Sequence, residues 1–216
     1  MRFQARPGIA VEPGPALVSG QVSSPAAFIA EPPRRRLSER QAGVVSRLTD
    51  AAEKEIRPRA YDGLTVRNVA KRAGVAPATA YTYFASKDHL IAETFWRRLK
   101  ALPEPRIERR KPAATRVGAA LRGVTTLLAK EPELAAATTT ALLAPDPDVR
   151  HLRDRVGGEI HRRLTSALGD DDGEAVVRAL ELAVAGAMIQ AGMGHLKYSE
   201  LPDLLTEVAG LLVRGR

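Results

Sequence analysis

An all-α chain in two parts is what this sequence predicts, and three observations carry the prediction. The composition is 44% hydrophobic but only 4% aromatic, with Ala, Leu, Val, Arg and Glu in excess. That mix forms helices more readily than sheets. Apolar residues recur at i, i+3 and i+4 through most of the chain, with Pro and Gly as punctuation. The charge is divided unevenly. Residues 1–33 are net neutral, residues 34–111 carry 19 Lys and Arg against 9 Asp and Glu, and residues 112–216 carry 12 against 14. The formal net charge of +8 therefore resides in one segment, the footprint of a polyanionic partner.

Taken in order, residues 1–33 hold six prolines among Gly and Ser and no helical or strand period. They read as a disordered leader, or as an extension from a start codon placed too early. Arg34, Arg35 and Arg36 follow, either a solvated charge run or a basic arm able to reach phosphates. Ser38 with Gln41 forms a capping-box pattern, and Val44, Val45, Leu48, Ala51, Ala52 and Ile56 mark a first helix to about Arg57. Pro58 disfavours its continuation, and Tyr61-Asp62-Gly63 is turn chemistry.

Thr65 can cap a short helix whose Val66, Val69 and Ala70 share one face. Gly74 stops it, because glycine enters the left-handed region without steric cost. Pro77 opens a second short helix in the first turn, where a missing N–H costs nothing. Two short helices joined by a glycine turn make a helix-turn-helix, whose second helix enters the major groove of DNA while the first braces it. Ser86 caps a fourth helix with Leu90, Ile91, Phe95, Trp96 and Leu99 apolar, to about Ala101. Residues 102–111, with Pro103 and Pro105, read as a hinge. Helices are then expected over about 112–130, Pro132 to Leu143, Asp148 to Leu168, Glu174 to Leu196 and Ser199 to Arg214, with an acidic turn from Gly169 to Gly173.

The order Leu64-Thr65-Val66-Arg67-Asn68-Val69-Ala70, Ala73-Gly74-Val75, Thr79-x-Tyr81-x-Tyr83-Phe84 and Ser86-Lys87-x-x-Leu90 closely resembles the DNA-binding domain of the TetR family of bacterial transcriptional regulators. The resemblance spans about residues 38–101; the remainder agrees in length and helicity only. One departure stands out. Where the family closes its first helix with an aromatic residue and a glycine, this chain has Ile56 and Ala60, with Pro58 between.

The resemblance implies an N-terminal helix-turn-helix DNA-binding domain (34–101) followed by a helical ligand-binding and dimerisation domain (112–216). Thr65 and Arg67 would contact phosphate or a base edge, with Arg67 the one candidate for a strong guanine contact. Pro77, Ala78, Thr79, Thr82 and Tyr83 would face the groove. Tyr81 and Tyr83 would offer hydroxyls to phosphates, with a core tyrosine the other reading of Tyr81. Lys87 would grip the backbone. It also implies a cytoplasmic repressor that binds a palindromic double-stranded DNA operator as a homodimer and responds to a small molecule.

Dimerisation has support of its own. The stretch Leu180 to Gly194 is apolar all round and rich in Ala and Gly, and the last helix has an apolar stripe. The last two helices would meet across a two-fold axis. For the effector site the middle helices offer Leu128, Thr139, Leu143, Ile160, Met188 and Gln190 as candidate lining. Their apolar bias favours an acyl, steroid-like or lipophilic effector over a sugar or nucleotide. The alternative is a regulator or architectural protein without an effector, or an activator.

Other classes find little footing. The chain has no cysteine, so no disulfide and no thiolate metal site. Its four histidines are scattered; His151 and His161 share a helix but would lie about 15 Å apart along it. No HExxH, glycine-rich phosphate loop or GxSxG occurs, and no enzyme activity, metal or cofactor is expected. No run of 18 apolar residues and no secretory signal are read, and no membrane partner is expected.

Overall fold

The computed structural model describes residues 39–169 and 173–214. The Pro-rich leader, the Arg34–Arg36 triplet, the Ser38 cap and the middle of the acidic turn lie outside the described residues. The described residues form α1 (Glu39–Gly63), α2 (Val66–Ala73), α3 (Pro77–Tyr83), α4 (Lys87–Lys100), α5 (Ala113–Lys130), α6 (Pro132–Leu142), α7 (Pro147–Leu168), α8 (Glu174–Gly192) and α9 (Leu201–Arg214), with a 3-10 turn at Tyr198–Glu200 and no strand.

The first helix departs from expectation. It runs through Pro58 and breaks only at Ala60, which takes φ 52° and ψ −170°. Proline removes one hydrogen bond but its φ is helical, so the chain need not leave the helix there. It turns at Ala60 because Ile56 and Leu64, both fully buried, must reach the same core. Alanine thus occupies a conformation that favours glycine. At the other end, α8 stops at Gly192, short of Leu196, and Gly194 takes a left-handed conformation that lets the His195 N–H reach the Gln190 carbonyl.

Two apolar clusters form. The first joins Val45, Leu48 and Ile56 of α1, Val66 and Val69 of α2, Ala80 of α3, Phe84, and Leu90 and Ile91 of α4. Leu134, Ala137 and Ala141 of α6 complete it. The second gathers α5, α7, α8 and α9 around Leu121, Leu164, Leu180 and Leu205, with Phe95, Trp96 and Leu99 of α4. α4 and α6 therefore serve both. α8 is long and apolar enough to cross a bilayer by length and composition, yet Val176, Leu180, Ala187 and Ala191 bury one face against α6, α7 and α9.

Polar links fix the helices' relative positions. Glu55 of α1, almost fully buried, is bonded by Arg72 of α2 and by Arg59. The Arg72 hydrogen bond holds its carboxyl below the ordinary range, against the opposing effect of burial, with Arg59 adding to it. Arg57 donates to both oxygens of Glu131 at 2.8 and 3.0 Å. Ser86, capping α4 by accepting from the His89 N–H at 3.0 Å, donates to Asp146 at 2.7 Å, and Asp146 in turn caps α7 through the Asp148 N–H at 2.9 Å. The segment between α4 and α5 is tied to α7 by Arg162 and Glu104, 2.9 Å apart.

Two outcomes are expected. Ala60→Gly relieves about 1–3 kcal/mol of backbone strain and returns up to about 1 kcal/mol as unfolded-chain entropy, so stability rises by about 1 kcal/mol in urea unfolding. A loss of stability would show that Ala60 is unstrained. Glu55→Gln is expected to cost about 1–2 kcal/mol at neutral pH, since both arginines keep contact with water. Because folding lowers this carboxyl's pKa, its contribution is fully present above about pH 4.3, the unfolded value, and fades as pH falls through the lower folded value. The variant's melting point should fall less steeply on acidification than the parent's; identical slopes would remove Glu55 from the acid limb.

Candidate nucleic-acid interface

The bracing helix begins with a closed capping box. The Thr65 hydroxyl accepts from the Asn68 N–H at 3.1 Å, and the Thr65 N–H donates to Asn68 Oδ1 at 2.9 Å. Asn68 Nδ2 also donates to the Gly63 carbonyl at 3.0 Å, joining the cap to the end of α1. A hydroxyl that accepts still has its own proton to give, so exposed Thr65 keeps a donor for a phosphate oxygen. Gly74 closes α2 at φ 63°, ψ 35°, and the Val75 N–H returns to the Ala70 carbonyl at 3.0 Å. These bonds set the angle at which α3 leaves.

On α3 only Ala80 is buried, and Phe84 just beyond it is 2% exposed. Pro77, Ala78, Thr79, Tyr81 and Thr82 face outward. Tyr81 is 50% exposed, which removes the core reading of that residue, while Tyr83 is half-buried against the cluster beneath. Thr82 donates to the Ala78 carbonyl at 3.1 Å and so presents its methyl outward more than its hydroxyl. Arg67 and Lys71 are exposed and form no ion pair among the described residues. Short side chains on α3 allow close approach to base edges, and flanking cations and hydroxyls suit phosphate.

Lys87 is held in place. Its ammonium donates to the Tyr61 carbonyl at 3.2 Å and sits 3.8 Å over the Tyr61 ring. The Tyr61 hydroxyl donates to Asp88 at 2.6 Å; burial, then that carboxylate, raises its pKa to about 12. Two donor protons of Lys87 remain for a phosphate. One further surface is not predicted from the sequence. Arg40, Gln41, Ser46 and Arg47 of α1 line a groove together with Gly74, Thr79 and Tyr83. The spacing of Arg40 and Arg47, two helical turns on one face, was the signal that could have pointed to it.

A second site lies among α5–α8. A cavity of about 720 Å³ is lined by Leu128, Thr139, Leu143, Ile160 and Met188, five of the six residues expected there. Gln190 stands off it: α8 turns Val184, Met188 and Ile189 to the cavity, and one residue further round the helix Gln190 bonds His195 at 2.9 Å. Thr139 donates to the Ala135 carbonyl at 3.0 Å and lies 3.3 Å from the hydroxyl of Tyr198, whose pKa burial pushes up. Phe95 of α4 also borders the cavity. Among the described residues no group of three or more His, Asp and Glu is placed to hold a metal.

Comparison with known proteins agrees with this geometry. A family model described as bacterial regulatory proteins, tetR family, matches residues 48–94. An uncharacterized HTH-type transcriptional regulator of Mycobacterium tuberculosis is 45% identical over 198 residues, 90% of this chain and 92% of its own. The HTH-type transcriptional regulator BetI of Brucella melitensis is 32% identical over 169 residues, 75% of this chain and 84% of its own. The crystal structure of a TetR transcriptional regulator from Rhodococcus sp. RHA1 superposes with a TM-score of 0.65 at 20% identity, covering 81% of this chain and 97% of that one.

Lys87→Ala should weaken operator binding and reduce the slope of log affinity against log salt by about 0.9, one phosphate contact. Fluorescence anisotropy between 50 and 200 mM salt measures it; an unchanged slope would take Lys87 off the phosphate backbone.

Proposed function

We propose that this chain, which belongs to the TetR family of bacterial regulatory proteins, is a repressor that holds a palindromic operator as a dimer and releases it when a small hydrophobic effector fills the cavity between α5 and α8. The observation that carries this reading is the double packing of α6. Its Leu134, Ala137 and Ala141 sit in the core of the DNA-binding helices, while its Thr139 and Leu142 border the cavity. A ligand pressing on the second face moves the first, and with it α1 and α4. Phe95 gives the ligand a direct contact with α4 as well. The segment 102–111, held to α7 through Glu104, then moves with the second part, and α4 and α6 together transmit the change.

Release requires that the effector prefer the non-binding arrangement, typically by about 1–3 kcal/mol of coupling. An apolar cavity open to solvent supports a ligand-responsive regulator over an architectural protein, which has no use for one. For the dimer, Met193 just beyond α8 and Leu211 of α9 are exposed apolar side chains. Gly186 of α8 has no neighbour within 4 Å of where a Cβ would stand, leaving room for a partner helix. Pairing these helices across a two-fold axis would set two recognition helices about 34 Å apart, one turn of DNA.

The test is an operator fragment found by footprinting, titrated in solution. Two chains per palindrome and release by apolar compounds are expected. One chain per site, or no release by any apolar compound, overturns the reading. Met188→Trp, which fills part of the cavity, should blunt release at least tenfold with ligand-free operator affinity kept within about threefold, following the free-energy cost of overpacking a binding space.

A further inference from the structure

The cavity's exposed lining lies in two rows, Arg153, Asp154, Gly157, Gly158 and His161 on α7 and Arg178, Leu182 and Ile189 on α8, so it opens as a slot between the two helices, bridged at one point by His161 and half-buried Glu181. One lip is partly bare. Gly157 and Gly158 are adjacent residues in the interior of a 22-residue helix, and a Cβ at either would meet nothing within 4 Å. No packing demand explains them, and each weakens the helix relative to alanine. The other lip is apolar: Leu182 is 70% and Ile189 39% exposed, and Leu143 at the end of the slot is 65% exposed. Three large apolar side chains around one opening invite a cover.

Inside, the slot deepens to buried Phe95, Leu121, Val124 and Leu205. Its two deep hydroxyls are already committed, Thr125 to the Leu121 carbonyl at 3.2 Å and Thr139 to the Ala135 carbonyl at 3.0 Å. The interior therefore offers an incoming carboxylate or carbonyl no free donor, and desolvation opposes a charged group there. All formal charge is at the rim, and it balances: Arg153 and Arg178 against Asp154 and Glu181. Three of these groups have work already. Arg153 donates to the Leu142 and Ala144 carbonyls, Arg178 bonds Glu174, and His161 bonds Glu181 at 2.8 Å.

We infer that, given the ligand-responsive reading above, this slot takes a single-chain amphiphile. The chain lies in the lumen against α5 and α8, and the head group passes out over the bare backbone at Gly157 and Gly158 to remain in water. A balanced rim selects no head charge, so the chain alone sets the affinity. The depth beyond the lips separates this from a second copy of the protein, since a flat helix face cannot fill a space of about 720 Å³ reaching to Phe95.

The experiment uses the full chain and a fluorescent polyene C18 fatty acid as probe, displaced by alkanoates, alkanols and alkyltrimethylammonium ions of matched length. Affinity should rise about fourfold per added CH₂ until the slot is full. The three head groups should agree within about threefold at equal length, as they would if the chain alone binds. Gly157→Leu/Gly158→Leu should lose at least about tenfold for every chain, a few buried CH₂ groups' worth. Gly157→Ala/Gly158→Ala should keep probe affinity and raise the melting point. The head-group and chain-length series in the parent protein stands even if the leucine pair fails to fold. A tenfold preference for one head charge, affinity indifferent to chain length, or a folded leucine variant with parental affinity overturns the slot. So does probe affinity that falls as protein concentration rises, because a second copy would then occupy the lips. Chains that bind in this pattern yet leave the operator complex intact support the slot and overturn the regulatory reading. A compact ring compound that releases the operator while no chain binds does the reverse.

Discussion

The structure depends on α6 being buried on two sides. A helix of 11 residues cannot be stable alone in water; it persists because tertiary packing covers it. Here the cover comes from two different clusters, with Ala137 and Ala141 on the DNA-binding side and Ala135 on the other. Small side chains bring its backbone close to α1 and α4, so little slack separates them. Cores packed at crystal-like density do not deform continuously, and a displacement on one side must be met on the other. The same geometry that stabilises α6 is the basis of the transmission proposed for it. Glu131, just before it, adds an ionic anchor to Arg57 of α1 and approaches Arg98 of α4 at 3.7 Å.

The DNA-reading part is built on different physics. Its short helices carry few apolar residues each, and their mutual angle is set by discrete bonds. The Thr65–Asn68 capping box, the left-handed Gly74 and the Ser86 cap each satisfy backbone groups that a helix end leaves open. Lys87 is held by the Tyr61 carbonyl and ring, so the phosphate contact expected of it would cost little side-chain entropy. The end of α1 contributes as well, because Asn68 bonds Gly63 and Tyr61 bonds Asp88. The turn at Ala60 is what brings that end into reach.

Much of this was legible in the residues. Helix count, the cap residues Thr65 and Ser86, the glycine at 74 and the outward row of α3 follow from periodicity and from the stereochemistry of Gly, Pro and β-hydroxyl side chains. The misplaced boundaries have physical causes. Pro58 removes a donor without forbidding helical φ, so the break waited for Ala60. α8 ended at Gly192 because its C-terminal residues found a glycine turn, a feature weaker in sequence than the apolar pattern running through it. Gln190 left the cavity because a helix whose every face is apolar gives no phase from which to assign one.

The sequence by itself determined that the chain is helical, where its DNA-facing motif lies and which residues that motif presents. Those properties are local: a cap needs a partner three residues away, and a recognition helix needs a few side chains on one face. Only the tertiary structure decided that α6 belongs to both clusters, that Arg40 and Arg47 flank the recognition helix, and that two glycines in α7 open onto a cavity. Each of these joins residues far apart in the chain. They depend on the phase and crossing of whole helices, which an Ala- and Leu-rich pattern satisfies in many ways and which only packing selects.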